Sequence, residues 1–263
     1  MSLSSRPMTD LPIPDLPVPD WQTISQIPIH ESAEAFQAIS LSPKIRTWPA
    51  YFKMGIAHTM PECYIREGVY QRLLEATRYL PDHLTLVVLD GWRPFKVQQF
   101  LYETFLALLS EAQPDWDEAQ RIAQARQLVS PPSIDPKAPS PHVTGGSIDV
   151  TLMDADGCLL NMGTLFDEAS PLAFSAAFEG RDDLTATQQE ARDHRRLLYH
   201  AMRQAGFTNL PTEWWHYDYG NQMWAWHRLE AGEINAESAQ AHYGVSHPHT
   251  LEYMWRSQLG LPH

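Results

Sequence analysis

Residues 142–160 read HVTGGSIDVTLMDADGCLL. After the Gly145-Gly146 pair the segment alternates apolar and polar side chains, the pattern of a half-buried strand. Asp154-Ala-Asp-Gly157 is a turn signal, so 158–160 is expected to return as the hairpin partner of that strand. Upstream, 84–89 (LTLVVL) is apolar on both faces and reads as a buried strand running directly into Asp90-Gly-Trp-Arg-Pro94. Downstream of Pro211, Glu213-Trp-Trp-His-Tyr-Asp-Tyr-Gly220 is aromatic and strand-like.

Helical patterns occupy other parts of the chain. Residues 66–80 carry apolar Val69, Leu73, Leu74 and Tyr79, read as a helix and are stopped by Pro81. Residues 95–109 and about 115–129 follow, and 188–205 is the longest, closed by Gly206 as a C-cap residue. A Pro/Ser-rich loop, 130–141, leads into His142. Helices kept apart from short, hairpin-joined strands predict an α+β fold and not a doubly wound one. Residues 1–20 hold prolines at 7, 12, 14, 17 and 19, a density no helix tolerates, so they read as an extended, partly mobile arm. From Trp21 onward there is no second linker and no internal repeat. The simplest organisation is an N-terminal arm over 1–20 and one catalytic domain over 21–263.

Composition narrows the partners. Hydrophobic residues make up 43% of 263, enough for one good core. With 19 Lys+Arg against 32 Asp+Glu, the net charge of -13 argues against nucleic acid or an anionic membrane as the main partner, because both need a basic surface. Small neutral or zwitterionic ligands stay open. Cys63 and Cys158 form no CxxC pair and no framework, so they read as two ordinary thiols of a reducing compartment. The N-terminus has no apolar core of a secretory signal, and no long apolar run spans a bilayer. The expectation is a soluble, cytoplasmic protein.

Catalytic zinc takes three protein ligands from His, Asp or Glu and leaves a fourth position free. His142 and Asp149 lie either side of the two glycines, which let the backbone turn tightly enough for a histidine and a strand carboxylate to converge. His216, in a separate strand-like segment, would complete a His-Asp-His set whose charge partly neutralises a dication. Glu213 stands three residues earlier beside Trp214 and Trp215, where desolvation raises a carboxyl pKa and suits a general base that later returns its proton. Residues three apart on a strand face opposite sides, so Glu213 has to sit in the turn after Pro211, or the strand has to begin irregularly. Arg93, at the end of a buried strand, is suited to holding an oxyanion with Asp90 orienting it. The same two residues also suit a structural pair closing a turn.

Four segments, DGWRP (90–94), SPHVTGGSIDVTL (140–152), MGTLFDE (162–168) and EWWH (213–216), stand in an order and at intervals that resemble the D-alanyl-D-alanine dipeptidases, a family of zinc peptidases that includes the enzyme of vancomycin-resistance clusters. The resemblance runs from about residue 45 to 225. It implies that His142, Asp149 and His216 bind one zinc ion per chain, that Glu213 is the general base and that Arg93 stabilises the transition state. It further implies that Asp167 anchors the free ammonium of the substrate, that Ser140 lies near the substrate, and that a small antiparallel sheet flanked by helices carries the metal beside a dipeptide-sized cavity. The implied reaction is hydrolysis of D-Ala-D-Ala to two D-alanines. The rival readings are a D,D-carboxypeptidase or endopeptidase on peptidoglycan stem peptides, and a non-catalytic zinc-stabilised peptide-binding domain.

The chain departs from the family pattern twice. Ser147 replaces an alanine, a small change expected to matter little, and Pro141 replaces a serine before the metal histidine, which removes a backbone N–H. His242, His247 and His249 are close in sequence but lack a carboxylate at ligand spacing, so they read as surface histidines. His194, His58 and His83 have no partner pattern, and Trp224, Trp226 and Trp255 read as packing residues.

Overall fold

A computed structural model describes residues 7–248, 255 and 258–261. In chain order its helices are α1 (Trp21–Ile24), α2 (Ala50–Lys53), α3 (Glu67–Ala76), α4 (Phe95–Ala112), α5 (Glu118–Leu128), α6 (Ala186–Gln204) and α7 (Gln222–Glu230). Its strands are β1 (Phe36–Ala38), β2 (Ile45–Thr47), β3 (Tyr64–Arg66), β4 (Thr85–Asp90), β5 (Ser147–Met153), β6 (Thr208–Asn209) and β7 (His216–Asp218). β1 and β3 form a two-stranded antiparallel ribbon, and the other five make one sheet in the order β2-β4-β5-β7-β6. The fold is α+β, as the pattern predicted.

The main sheet is not purely antiparallel, which corrects the expectation. β2 runs parallel to β4, while β4–β5, β5–β7 and β6–β7 are antiparallel. A parallel neighbour needs a crossover. Here α2, β3 and α3 supply it between Thr47 and Thr85. Alternation along β4 and β5 divides their side chains between two faces. Leu86 and Val88 join Ile148, Val150 and Leu152 against α3 and α6, whose Val69, Leu73, Ala76, Leu198, Ala201 and Met202 complete the main core. Val87 and Leu89 pack on the other face with Ala50 of α2. α6 begins with a capping box, in which the Thr185 side chain accepts from the Gln188 N–H and Gln188 reaches back to the Thr185 N–H.

The turn after β5 closes as expected, although pairing is confined to a Met153–Leu159 bridge with Leu160 N–H donating to Leu152 O. α4 and α5 form a helical hairpin at the site edge of the sheet. It is weakly embedded, with Val97 and Gln98 the buried residues of α4. Residues 1–6 of the N-terminal arm lie outside the described residues; residues 7–20 hold a short 3-10 turn, Met8–Asp10, and otherwise no helix or strand, and they dock on α6 and on the loop before it. Arg196 Nη1 donates to Thr9 O (2.8 Å), His200 Nε2 meets Leu11 O (2.9 Å), and Ile13 is buried with its N–H on Glu179 Oε1 (3.0 Å). Of the three tryptophans read as packing residues, Trp224 and Trp226 are buried with Ile24 and Ile27, whereas Trp255 is 56% exposed.

Candidate metal centre and its cavity

Strand register lines up the site. Asp149 in β5 is paired with His216 in β7 on one side and with Asp90 in β4 on the other. Paired residues project to the same face of a sheet, so the three side chains form a row. Regular alternation would put Leu89 opposite Asp149. An irregularity between Val88 and Asp90 shifts the pairing by one residue, as a bulge does, and turns Asp90 onto the row. His142 reaches it from a 3-10 turn, Pro141–Thr144, ended by Gly145 at φ 73°. A Cβ at Gly145 would strike the Phe36 ring, so close packing as well as the positive φ requires glycine there.

Three donor atoms converge. His142 Nε2 lies 3.2 Å from His216 Nδ1, which lies 3.1 Å from Asp149 Oδ1, and the donor atoms of all three residues fall within 4.8 Å of one another. The remaining polar atom of each is occupied. His142 Nδ1 donates to Gly91 O (2.7 Å), His216 Nε2 donates to Asp218 Oδ2 (3.1 Å), and Asp149 Oδ2 accepts from Arg93 Nη2 (3.2 Å). Those partners fix the histidine tautomers so that two nitrogen lone pairs and a carboxylate oxygen face one small volume, an arrangement a cation makes favourable. Burial alone would depress the His216 imidazole, but Asp218 and Asp149 outweigh it and hold its pKa well above 6.5. Burial would raise Asp149, yet the two imidazoles keep it well below the usual carboxylate range.

Glu213 occupies the turn before β7, with Oε2 3.8 Å from His216 Nδ1. Burial lifts its carboxyl from 4.5 to about 8; His216 opposes this and Asp149 and Asp167 add to it. Arg93 is 7% exposed and spends its donors in three directions. Nε meets Asp90 Oδ2 (2.7 Å), Nη1 meets Gln98 Oε1 (2.7 Å), and Nη2 is shared between Asp149 and the Tyr51 hydroxyl (3.3 Å). Tyr51 in turn donates to Asp167 Oδ2 (2.9 Å). Asp167 stands at φ 65° in a surface loop, crowded by site residues yet open to solvent, as a residue on the wall of a cavity is. A cavity of about 40 Å³ is lined by Tyr51, Arg93, His142, Asp167, Glu213 and His216, with Leu101, Leu128, Val129, Ser130 and Leu210 completing it.

Of the residues singled out in the sequence, His142, Asp149, His216, Glu213, Arg93, Asp90 and Asp167 therefore come together. Ser140 does not reach this cavity. Its hydroxyl donates to Pro131 O and accepts from Ser133 N–H, both at 2.7 Å, which closes the 130–141 loop, and Ser130 takes a place in the lining. Ser147 does more than expected. Its hydroxyl donates to Asp218 Oδ1 (2.6 Å), and Asn221 Nδ2 donates to the same oxygen (2.7 Å). Asp218, Tyr51 and Gln98 were missed. His216-Tyr-Asp218 did carry a signal, since strand residues two apart share a face; no spacing points to Tyr51 or Gln98. Among the other histidines, His247 is exposed, His242 is half-buried against Trp224, and His249 lies outside the described residues.

A family model described as D-ala-D-ala dipeptidase matches residues 33–233. A D-alanyl-D-alanine dipeptidase of Synechocystis is 31% identical over 220 residues, 76% of this chain and 87% of that protein. One of Escherichia coli is 32% identical over 135 residues, 51% of this chain and 55% of that protein. Among solved structures, a vancomycin-resistance D,D-pentapeptidase with Zn(II) covers 68% of this chain and 85% of its own, at a TM-score of 0.38 and 19% identity.

Proposed function

The chain belongs to the D-Ala-D-Ala dipeptidase family, and from that premise we propose that it hydrolyses D-Ala-D-Ala to two D-alanines with one zinc ion held by His142, Asp149 and His216. The observation that carries the proposal is the convergence of three donor atoms within 4.8 Å on a cavity that also presents Glu213 and Arg93. Two imidazoles and one carboxylate are a donor set that catalytic zinc takes, leaving room for a water or substrate.

When bound, zinc supplies Lewis acidity and brings the deprotonation of a water toward about pH 7. The chain's own residues do the rest. Glu213, in its carboxylate form, takes the water proton as that water attacks the scissile carbonyl, and afterwards hands it to the departing amine. The Arg93 guanidinium, held in place by Asp90 and Gln98, stabilises charge on the carbonyl oxygen. Asp167 accepts from the free ammonium, with Tyr51 fixing its orientation. An ammonium anchor one residue from the cut favours a dipeptidase over a carboxypeptidase, whose longer substrates carry no free ammonium there. Cys63 and Cys158 are both free, which suits the reducing compartment in which we place the activity, the cytoplasm. No helix among the described residues is long and apolar enough to cross a membrane. A natural source of the dipeptide is peptidoglycan metabolism.

The test is D-alanine release from D-Ala-D-Ala, with zinc and after chelation, alongside N-acetyl-D-Ala-D-Ala. Zinc-dependent release from the free dipeptide alone is expected. Preferential cleavage of the acetylated substrate would shift the reading to a carboxypeptidase, and no release from folded, zinc-loaded protein would overturn it.

A further inference from the structure

Beside the small donor-lined cavity lies a larger one of about 150 Å³, between the α4–α5 hairpin and the wall carrying Asp167, Thr212, Glu213 and Trp215. Leu101, Leu128, Val129, Asp167 and Glu213 line both, so the two adjoin. The outer part is apolar: Phe100, Phe105 and Leu108 project from α4, and Trp215 closes the back. Its charged group besides Asp167 and Glu213 is Glu168, whose carboxylate is already engaged by Ser170 Oγ (2.8 Å) and the Leu165 N–H (3.3 Å).

We propose that this cavity receives the side chain of the first, ammonium-bearing residue of the substrate, so that the enzyme accepts D-Xaa-D-Ala dipeptides with Xaa as large as leucine or phenylalanine. The inference rests on the functional reading above, in which Asp167 holds the ammonium and Glu213 serves the scissile carbonyl. In a dipeptide one atom, the α-carbon of the first residue, separates those two groups. A cavity walled by both Asp167 and Glu213 therefore lies beside that α-carbon, and the substituent it carries is the one positioned to enter. A methyl group fills only the mouth. A cavity of about 150 Å³ lined by apolar side chains is large enough for a benzene-sized group. Phe100 and Leu108 are 48% and 54% exposed, so a larger apolar side chain also covers surface now in contact with water.

The experiment compares kcat/KM for D-Ala-D-Ala, D-Leu-D-Ala, D-Phe-D-Ala and D-Ala-D-Leu on the zinc-loaded full chain. D-Leu-D-Ala is expected to equal or exceed D-Ala-D-Ala by up to about tenfold, while D-Ala-D-Leu, which carries the same group beyond the scissile bond, gains nothing. Turnover of D-Ala-D-Ala with D-Leu-D-Ala more than about tenfold poorer would overturn the subsite and leave the dipeptidase reading intact. An equal gain for D-Ala-D-Leu would also overturn it, and inactivity on every dipeptide would sink both readings. Thr104→Trp, at an exposed position of the α4 wall, should lower D-Leu-D-Ala turnover about tenfold more than D-Ala-D-Ala turnover. Leu108→Trp provides the same check should the first variant fold poorly, and an equal loss on both substrates would refute the assignment.

Discussion

In the metal-free protein burial lifts the Glu213 carboxyl to about 8, and Asp218 and Asp149 outweigh burial to raise the His216 imidazole above its ordinary pKa, so both favour their protonated forms. A dication reverses both preferences: it needs the lone pair of His216 Nδ1 and lowers the pKa of the nearby carboxyl. Zinc uptake at pH 7 should therefore release at least one proton, seen by calorimetry as a binding enthalpy that depends on the buffer's own ionisation enthalpy. Buffer-independent heat would speak against His216 as a ligand. Glu213→Ala should cut kcat by about 10²–10⁴ while zinc content stays at one per chain, and near-normal turnover would remove Glu213 as the base. Asp218→Asn weakens the charge behind His216 and should loosen zinc about 10–100-fold, measured by competition with a chelating dye; Ser147→Ala should do so to a smaller degree. At this scale the sequence was most informative for residues whose chemistry is distinctive and whose spacing sets their direction. Tyr51 was illegible because α2 brings it to Arg93 only through tertiary packing, whereas Gln98 meets Arg93 locally from the first turn of α4, where no residue pattern marks it.

At the level of elements, long periodic segments were readable and short ones were not. α6 and β5 appeared close to their observed limits, because each carries a long pattern. β2 and β6 have three and two residues, too few for any period to show, and so the parallel edge of the sheet was not foreseen. The loop that carries Asp167 is held by α6 in a way no local pattern encodes. Arg195, 1% exposed, donates to Met162 O, Phe174 O and Leu172 O at 2.7, 2.7 and 2.8 Å, and it makes no ion pair among the described residues. Arg195→Met would leave three carbonyls without this donor and should destabilise the protein by about 3 kcal/mol or more, read as a lower denaturation midpoint. An unchanged midpoint would mean that water replaces the guanidinium.

Over the whole molecule, the arm ties itself down through a charged pair. Burial would raise Glu179, but hydrogen bonds from Arg196 and from the Ile13 N–H outweigh it and leave its pKa below 4.5. A carboxyl whose folded pKa is depressed adds stability that is fully present above its unfolded value and is lost as pH falls through the folded one. Acid titration below about pH 4.5 should therefore weaken arm docking. Glu179→Gln should flatten that part of the stability profile, and an identical profile in the variant would refute the link.

The row of Asp90, Asp149 and His216 has a consequence for how the chain reaches its native state. In β5 and β7, a slip of one residue sends every side chain to the opposite face of the sheet. Asp149 and His216 would then point into the apolar layer, while Ile148 and Tyr217 turned out toward the cavity. Burying a carboxylate and an imidazole there without partners is costly, so the mispaired sheet is penalised by the same residues that reward the correct one. The metal-binding face thus acts as a proofreading device for strand alignment, discriminating against the wrong register before any ion is present.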